Sequence, residues 1–324
     1  LVNSYNHVLK VKHILCLIES YTDAYYSITE LEVKQISFSD IHSKYQHNII
    51  MGHNPIMLID QADTIKLQNI TMYDNVFGNG AIVFNQAKVI RIINSIFHDN
   101  FAVKGGILYS NHKSDVRVFL SNSTLTKNWV SSGSVADLLT FHVIYITLCI
   151  FEGNVGVKKD SILCLENGKY VVIANSVISK NSSPQNGSIS VHNVKSLQII
   201  SCKLFKNQAT TKNAGVINAD VVQSFTILLS VCRQNTAKIH GGVMFVKSVT
   251  VLSIKNCFLW KNLAQGSGSV VTVQGTKLVI LSNSVFQYCK AGKGGILSAK
   301  NVSLVESVNC TYENNTSISI GGVM

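Results

Sequence analysis

The chain has 324 residues, 46% hydrophobic and 14% charged, with 28 basic side chains against 17 acidic and a net charge of +11. Only Arg91, Arg117 and Arg233 are arginines, and the lysines are scattered among turns. That pattern argues against a nucleic-acid reader, which relies on clustered Arg and aromatic patches. It reads as a solvated lysine-rich surface, with acidic glycans or anionic surfaces as the partners its charge can attract.

In chain order, the first element is the alternating run Val8-Leu9-Lys10-Val11-Lys12-His13-Ile14, which fits a degenerate early coil within residues 1–30. Asp60 and Asp63 follow, expected in a turn between Leu58 and Ile65. Residues 93–107 then read INSIFHDNFAVKGGI, and residues 282–296 read SNSVFQYCKAGKGGI. Such duplication points to architecture before chemistry. Aligned on Asn94, the Asn100 column runs Asp40, Asn75, Asn100, Asn128, Asn154, Asn181, Asn207, Asn235, Asn262, Cys289 and Asn315. From Asn75 its steps are 25, 28, 26, 27, 26, 28, 27, 27 and 26 residues.

After each member comes a small pair followed by Ile or Val: Gly80-Ala81-Ile82, Gly105-Gly106-Ile107, Gly133-Ser134-Val135, Asp160-Ser161-Ile162 and Gly187-Ser188-Ile189. The series continues through Ala214-Gly215-Val216, Gly241-Gly242-Val243, Gly268-Ser269-Val270 and Gly294-Gly295-Ile296 to Gly321-Gly322-Val323.

Just before the Asn94 column the chain alternates aliphatic residues: Ile65 and Leu67, Ile90 and Ile92, Ile144 and Ile146, Leu197 and Ile199. Period-two alternation rich in β-branched residues is a strand signature. Each repeat thus holds three short strands, and no stretch reads as a helix. Three short strands cannot bury a face alone, but stacked copies give each a parallel partner above and below. The expected fold is all-β: a right-handed parallel β-helix solenoid of about 27 residues per coil and ten or more coils, one domain over 1–324. At ~4.8 Å per coil the rod is on the order of 50 Å long. Asn tolerates left-handed backbone at corners and its amides can stack; Gly fits corners where a Cβ would be costly. A propeller or sandwich would instead need hairpins with Asn-Gly or Asp-Gly turns and longer repeats. The apolar run Leu138 to Phe151 is too short for a membrane span and reads as core.

Cys149, Cys202, Cys257 and Cys310 occupy one column on every second coil, with Ser95, Ser123, Ser176, Ser230 and Ser284 in that column on other coils. Two coils is ~9.6 Å, beyond the ~7 Å Cα limit for a disulfide. Buried free thiols in a column of small residues are expected, and the spacing supplies no metal site.

The motifs Phe97-His98-Asp99-Asn100 and Phe151-Glu152-Gly153-Asn154, with Gly105-Gly106-Ile107, Gly241-Gly242-Val243 and Gly294-Gly295-Ile296, resemble the FxxN and GGA(I/L/V) repeats of chlamydial polymorphic outer-membrane proteins. Those proteins belong with the pectin-lyase-like β-helices. The Asn-, Ile- and Lys-rich, Pro-poor style is also similar to large surface repeat proteins of ciliates and other protists. The resemblance implies coil architecture rather than activity. The same fold houses polysaccharide lyases and hydrolases, which need converging carboxylates or several acidic ligands. Here Asp60, Asp63, Asp74, Asp99, Asp115 and Asp220 fall in different columns, and His240 reads as a surface turn residue before a Gly-Gly corner. Neither a catalytic centre nor a cofactor is expected.

The leading expectation is therefore a non-enzymatic extracellular or cell-surface scaffold or adhesin-like rod; the alternative is a carbohydrate-binding or polysaccharide-cleaving β-helix. The chain lacks an initiator Met and stops inside a regular corner, so it reads as part of a longer protein, with membrane contact only through segments outside it. Its partners are expected to be neighbouring coils or further copies of itself, meeting end to end. Asn-x-Ser/Thr acceptors are Asn186, Asn301 and Asn314, which are preferred, and Asn69, Asn122, Asn181, Asn309 and Asn315. The last five are disfavoured because they sit in the two Asn columns, both taken to point inward.

Overall fold

The computed structural model describes residues 8–12, 16–19, 30–34, 37–41, 44–46, 49–50, 55, 57–104, 106–110, 115–158 and 161–319. Gly105, Asp160, the His13-Ile14 end of the first run and the final Gly321-Gly322-Val323 corner lie outside these. Among these residues the strands form three sheets, one of 17 strands and two of eleven, and every strand pairing is parallel. Each residue pairs with the residue one repeat away: Ile173 with Ile199, Ile199 with Ile227, Ile227 with Ile254. The chain is thus an all-β parallel solenoid of about 27 residues per turn, without helix among the described residues.

One expectation of the strand plan changes. In seven coils the strand starting at the Gly corner runs on into the aliphatic pair, giving twelve-residue strands such as Leu163–Ala174, Ile189–Ile200 and Ile217–Leu228, whereas pairs such as Leu108–Ser110 and Val116–Ser121 or Val271–Gln274 and Leu278–Ser282 stay separate. A single left-handed residue bends each strand in its middle: Asn167 (φ 57), Asn193 (φ 53) and Val221 (φ 55). One αL residue is cheap enough for Asn, and for Val it is held by ladders on both sides. Asp60 and Asp63 lie in a twelve-residue strand, Met57–Gln68, and not in a turn. Asp63 pairs across the surface with Lys88 at 2.7 Å.

Inside, side chains stack by type. The Phe97 column carries Met72, Phe97, Leu125, Phe151, Ile178, Leu204, Cys232, Leu259 and Phe286, all buried. Burial of each large aliphatic or aromatic group contributes ~1.5–3 kcal/mol. The Asn100 column faces inward and forms an amide ladder. Asn128 Nδ2 donates to Asn154 Oδ1 (3.0 Å) and to Phe97 O (2.9 Å), while Asn154 Oδ1 also accepts from Asn128 N (3.0 Å). The same amide-to-amide bonds link Asn75, Asn100, Asn128, Asn154, Asn181, Asn207, Asn235 and Asn262 without a gap. A buried amide is costly unless every donor and acceptor is matched, and translation by one coil matches all of them.

The Ser95 column works by the same logic. Ser176 Oγ accepts from Cys149 N (3.1 Å) and donates to Ala174 O (2.7 Å); Cys149 Sγ lies 3.2 Å from Thr147 O. Cys149, Cys202 and Cys257 are free and buried, and Cys310 is free and half-buried. The position is small because its heteroatom must turn back onto the backbone. At the Gly corner, Gly241 adopts φ 66, and a Cβ on Gly242 would come within 2.1 Å of Ser269 O. There glycine is required by contact as well as by conformation.

Candidate functional site: a cleft along the bent sheet

The bends in the long strands fall on successive coils and open a cleft of about 380 Å³ on the outer face of the 17-stranded sheet. Asn167, Asn193 and Val221 line one side, Lys169, Lys195 and Gln223 the other, with Asp115 at one end. The two amides are linked, Asn193 Nδ2 donating to Asn167 Oδ1 at 2.8 Å. The floor is pressed flat: a Cβ on Gly168 would lie 2.0 Å from the Phe141 ring.

At the Asp115 end a mixed cluster spans three coils. His142 Nδ1 is 3.2 Å from Asp115 Oδ2, Lys169 Nζ is 3.6 Å from the same oxygen, and Lys169 Nζ is 3.1 Å from His142 Nδ1. The hydrogen bond from His142, followed by the charge of Lys169, holds the Asp115 carboxyl below its ordinary value. Tyr170 packs against His142 at 6.3 Å. Beyond the bend, His192 Nδ1 faces Asp220 Oδ2 at 3.6 Å. Each of these acids therefore meets a base, and what the cleft offers is amides, ammonium groups and a neutralised carboxylate, a set suited to holding a polar ligand. Among the described residues no group of three or more His, Cys, Asp or Glu side chains is placed to hold a metal ion.

The alignment on Asn94 did not reveal this cluster. Asp115 lies just before the point where the ladder shifts register, between Val116 and Arg117, so it drops out of a column counted from the corner. Yet Asp115, His142 and Lys169 are spaced 27 and 27 residues apart, a signal available to an alignment started from the charged residues themselves.

His240 is more than a turn residue. Its Nδ1 accepts from Ser267 N at 3.3 Å across one coil, and its ring stacks with Phe245 at 6.3 Å. Partial burial lowers its pKa from 6.5. The glycan acceptors also need correction. The Asn94 column points outward in left-handed conformation, leaving Asn122 and Asn309 exposed and Asn69 half-buried. An αL corner residue between two sheets has its side chain on the outside, so only the Asn100 column hides an acceptor. Asn181 is buried there and Asn315 partly so. Asn301 and Asn314 are exposed, while Asn186 is half-buried at a bend.

No protein-family model matches the chain, and no curated protein matches it. Among solved structures, the A-module of the mannuronan C-5 epimerase AlgE6 from Azotobacter vinelandii is similar with a TM-score of 0.38 and 11% identity, over 88% of this chain and 90% of that one.

Proposed function

We propose that the chain acts as a rigid, non-enzymatic rod outside the cell or on its surface, spacing or displaying other parts of an assembly and stacking against neighbouring coils or copies. The observation that carries this reading is the unbroken amide ladder from Asn75 to Asn262, kept while every coil stays within 25–28 residues. A ladder of matched groups resists bending and twisting, and coils of constant length devote no long loop to enclosing a substrate. The test combines shape and activity. Electron microscopy should show straight particles of constant width. Incubation with acidic polysaccharides should release neither reducing ends nor unsaturated products, and turnover that disappears in Asp115→Asn would refute the reading.

A second reading, carbohydrate binding in the cleft, is favoured by the linked Asn167–Asn193 amides beside Lys169 and Lys195. It expects calorimetrically measurable binding of neutral or acidic oligosaccharides that is lost in Lys169→Ala/Lys195→Ala. Equal binding by the variant would discard it.

A further inference from the structure

Charge is not spread evenly along the rod. Residues 167–305 contain fourteen lysines and Arg233 against a single acid, Asp220, so the remaining parts of the chain are acidic on balance. Within this segment one line of cations runs along the corner between the two eleven-stranded sheets, on a different face from the cleft. Lys180, Lys206 and Lys261 occupy the outward, left-handed position just before the buried Asn column. Lys203 and Arg233 stand beside them on the adjoining sheet, and all five are exposed. Lys180 reaches Glu152 at 2.6 Å; no ion pair engages Lys203, Lys206, Arg233 or Lys261 among the described residues.

Two aromatic rings hold the heads of this line in place. Phe205, Arg233 and Trp260 are consecutive partners in one ladder. The Arg233 guanidinium sits 4.9 Å from the Phe205 centroid, and Lys261 Nζ sits 4.3 Å from that of Trp260. Cations supported by ring faces lose less freedom when they bind an anion.

We infer that this corner is a binding site for a linear sulfated or uronate-bearing polysaccharide, laid parallel to the rod axis. The coil repeat places cations at multiples of ~4.8 Å, so Lys180 and Lys261 stand ~14 Å apart on a straight line. A stiff polyanion with one charge-bearing sugar after another can follow such a line and meet successive ammonium groups. The guanidinium can grip a sulfate or carboxylate with two bonds. Single-stranded nucleic acid fits poorly, because its bases need open aromatic faces and here both rings are covered by cations. The inference concerns the charged corner alone and stands whether or not the cleft binds a ligand.

A heparin decasaccharide is the probe. Titrated against the intact chain at low salt, it should bind and then weaken as salt screens the exposed charges. Lys206→Glu/Arg233→Glu/Lys261→Glu should bind at least tenfold more weakly, with circular dichroism and melting midpoint checked against the parent. Lys206→Gln/Lys261→Gln, a milder change that leaves Arg233 on its ring, should show an intermediate loss. Lys212→Gln/Lys238→Gln, exposed lysines of the same segment outside both the corner and the cleft, should bind within twofold of the parent. Unchanged affinity in both corner variants would overturn the assignment, as would an equal loss in Lys212→Gln/Lys238→Gln. Displacement of the probe by oligo(dT) or by phosphatidylserine vesicles at comparable charge concentration would also overturn it, transferring the surface to nucleic acid or membrane.

Discussion

Cys289 interrupts the amide ladder, and restoring the missing rung should stabilise the protein. In the preceding coils each Asn Oδ1 accepts from both the backbone N and Nδ2 of the Asn before it, as Asn262 Oδ1 does from Asn235 at 3.1 Å each. On the next rung Asn262 meets instead the Cys289 sulfur, 3.9 Å from its Nδ2, while that Nδ2 still donates to Cys232 O at 2.9 Å. Past the break, Asn315 Oδ1 still accepts from Cys289 N at 3.0 Å. Cys289→Asn would supply an Oδ1 to Asn262 and an Nδ2 to both Leu259 O and Asn315 Oδ1, replacing thiol contacts of 3.4–3.9 Å. Two or more net hydrogen bonds at ~0.5–1.5 kcal/mol each, less the cost of burying the amide, leave a gain of about 1–2 kcal/mol. The mirror variant, Asn154→Ala, removes a complete rung and strands Asn128 N and Nδ2, at a cost of ~1–3 kcal/mol for each orphaned group. Denaturant titration of the two variants and the parent provides the measurement. Cys289→Asn less stable than the parent, with Asn154→Ala tolerated, would refute the idea that matched amides hold the stack.

Ile199→Asp or Ile254→Asp, each placing a carboxylate at a fully buried position, should cost several kcal/mol and visibly lower the melting midpoint. Burial pushes the Cys149, Cys202 and Cys257 thiols from 9.0 up to about 11. Between those values the folded chain keeps protons that the unfolded chain has released, so stability should be full below pH 9 and decline towards about pH 11. Replacing all three by Ser, the residue found in the coils between, should flatten that decline. Expressed through a secretory route, the chain should carry glycans on Asn122, Asn301, Asn309 and Asn314 in preference to buried Asn181, as read by peptide mass spectrometry.

The repeat was legible because a solenoid writes the same physical demand once per coil. Asn128, Asn154 and Asn181 recur since each must complete the amide of its neighbour, and Ser176 and Cys202 recur since each returns a heteroatom to the backbone. What could not be read was direction. The Asn94 and Asn100 columns share a residue type, but one uses Asn for its backbone and faces water while the other uses it for its amide and faces the core. The merging of two expected strands into one had a similar origin: the bend at Asn167 or Val221 needs only one αL residue, which no residue type announces.

The same translational rule explains why chemistry here appears as lines rather than points. In a globular fold a site is assembled from distant segments, so a cluster such as Asp115, His142 and Lys169 would have no simple spacing; in this chain it recurs at the coil length. A charge placed once per coil at one outward position becomes a rail, and a bend placed once per coil becomes a cleft. The inward ladders leave little freedom, because a changed Asn154 or Ile199 disturbs the coils above and below. Outward positions carry no such demand, so Phe205, Arg233 and Trp260 can succeed one another on adjacent rungs. The buried columns therefore hold the rod while the surface columns are free to set its partners, and a corner variant such as Lys206→Gln/Lys261→Gln should change binding without moving the melting midpoint.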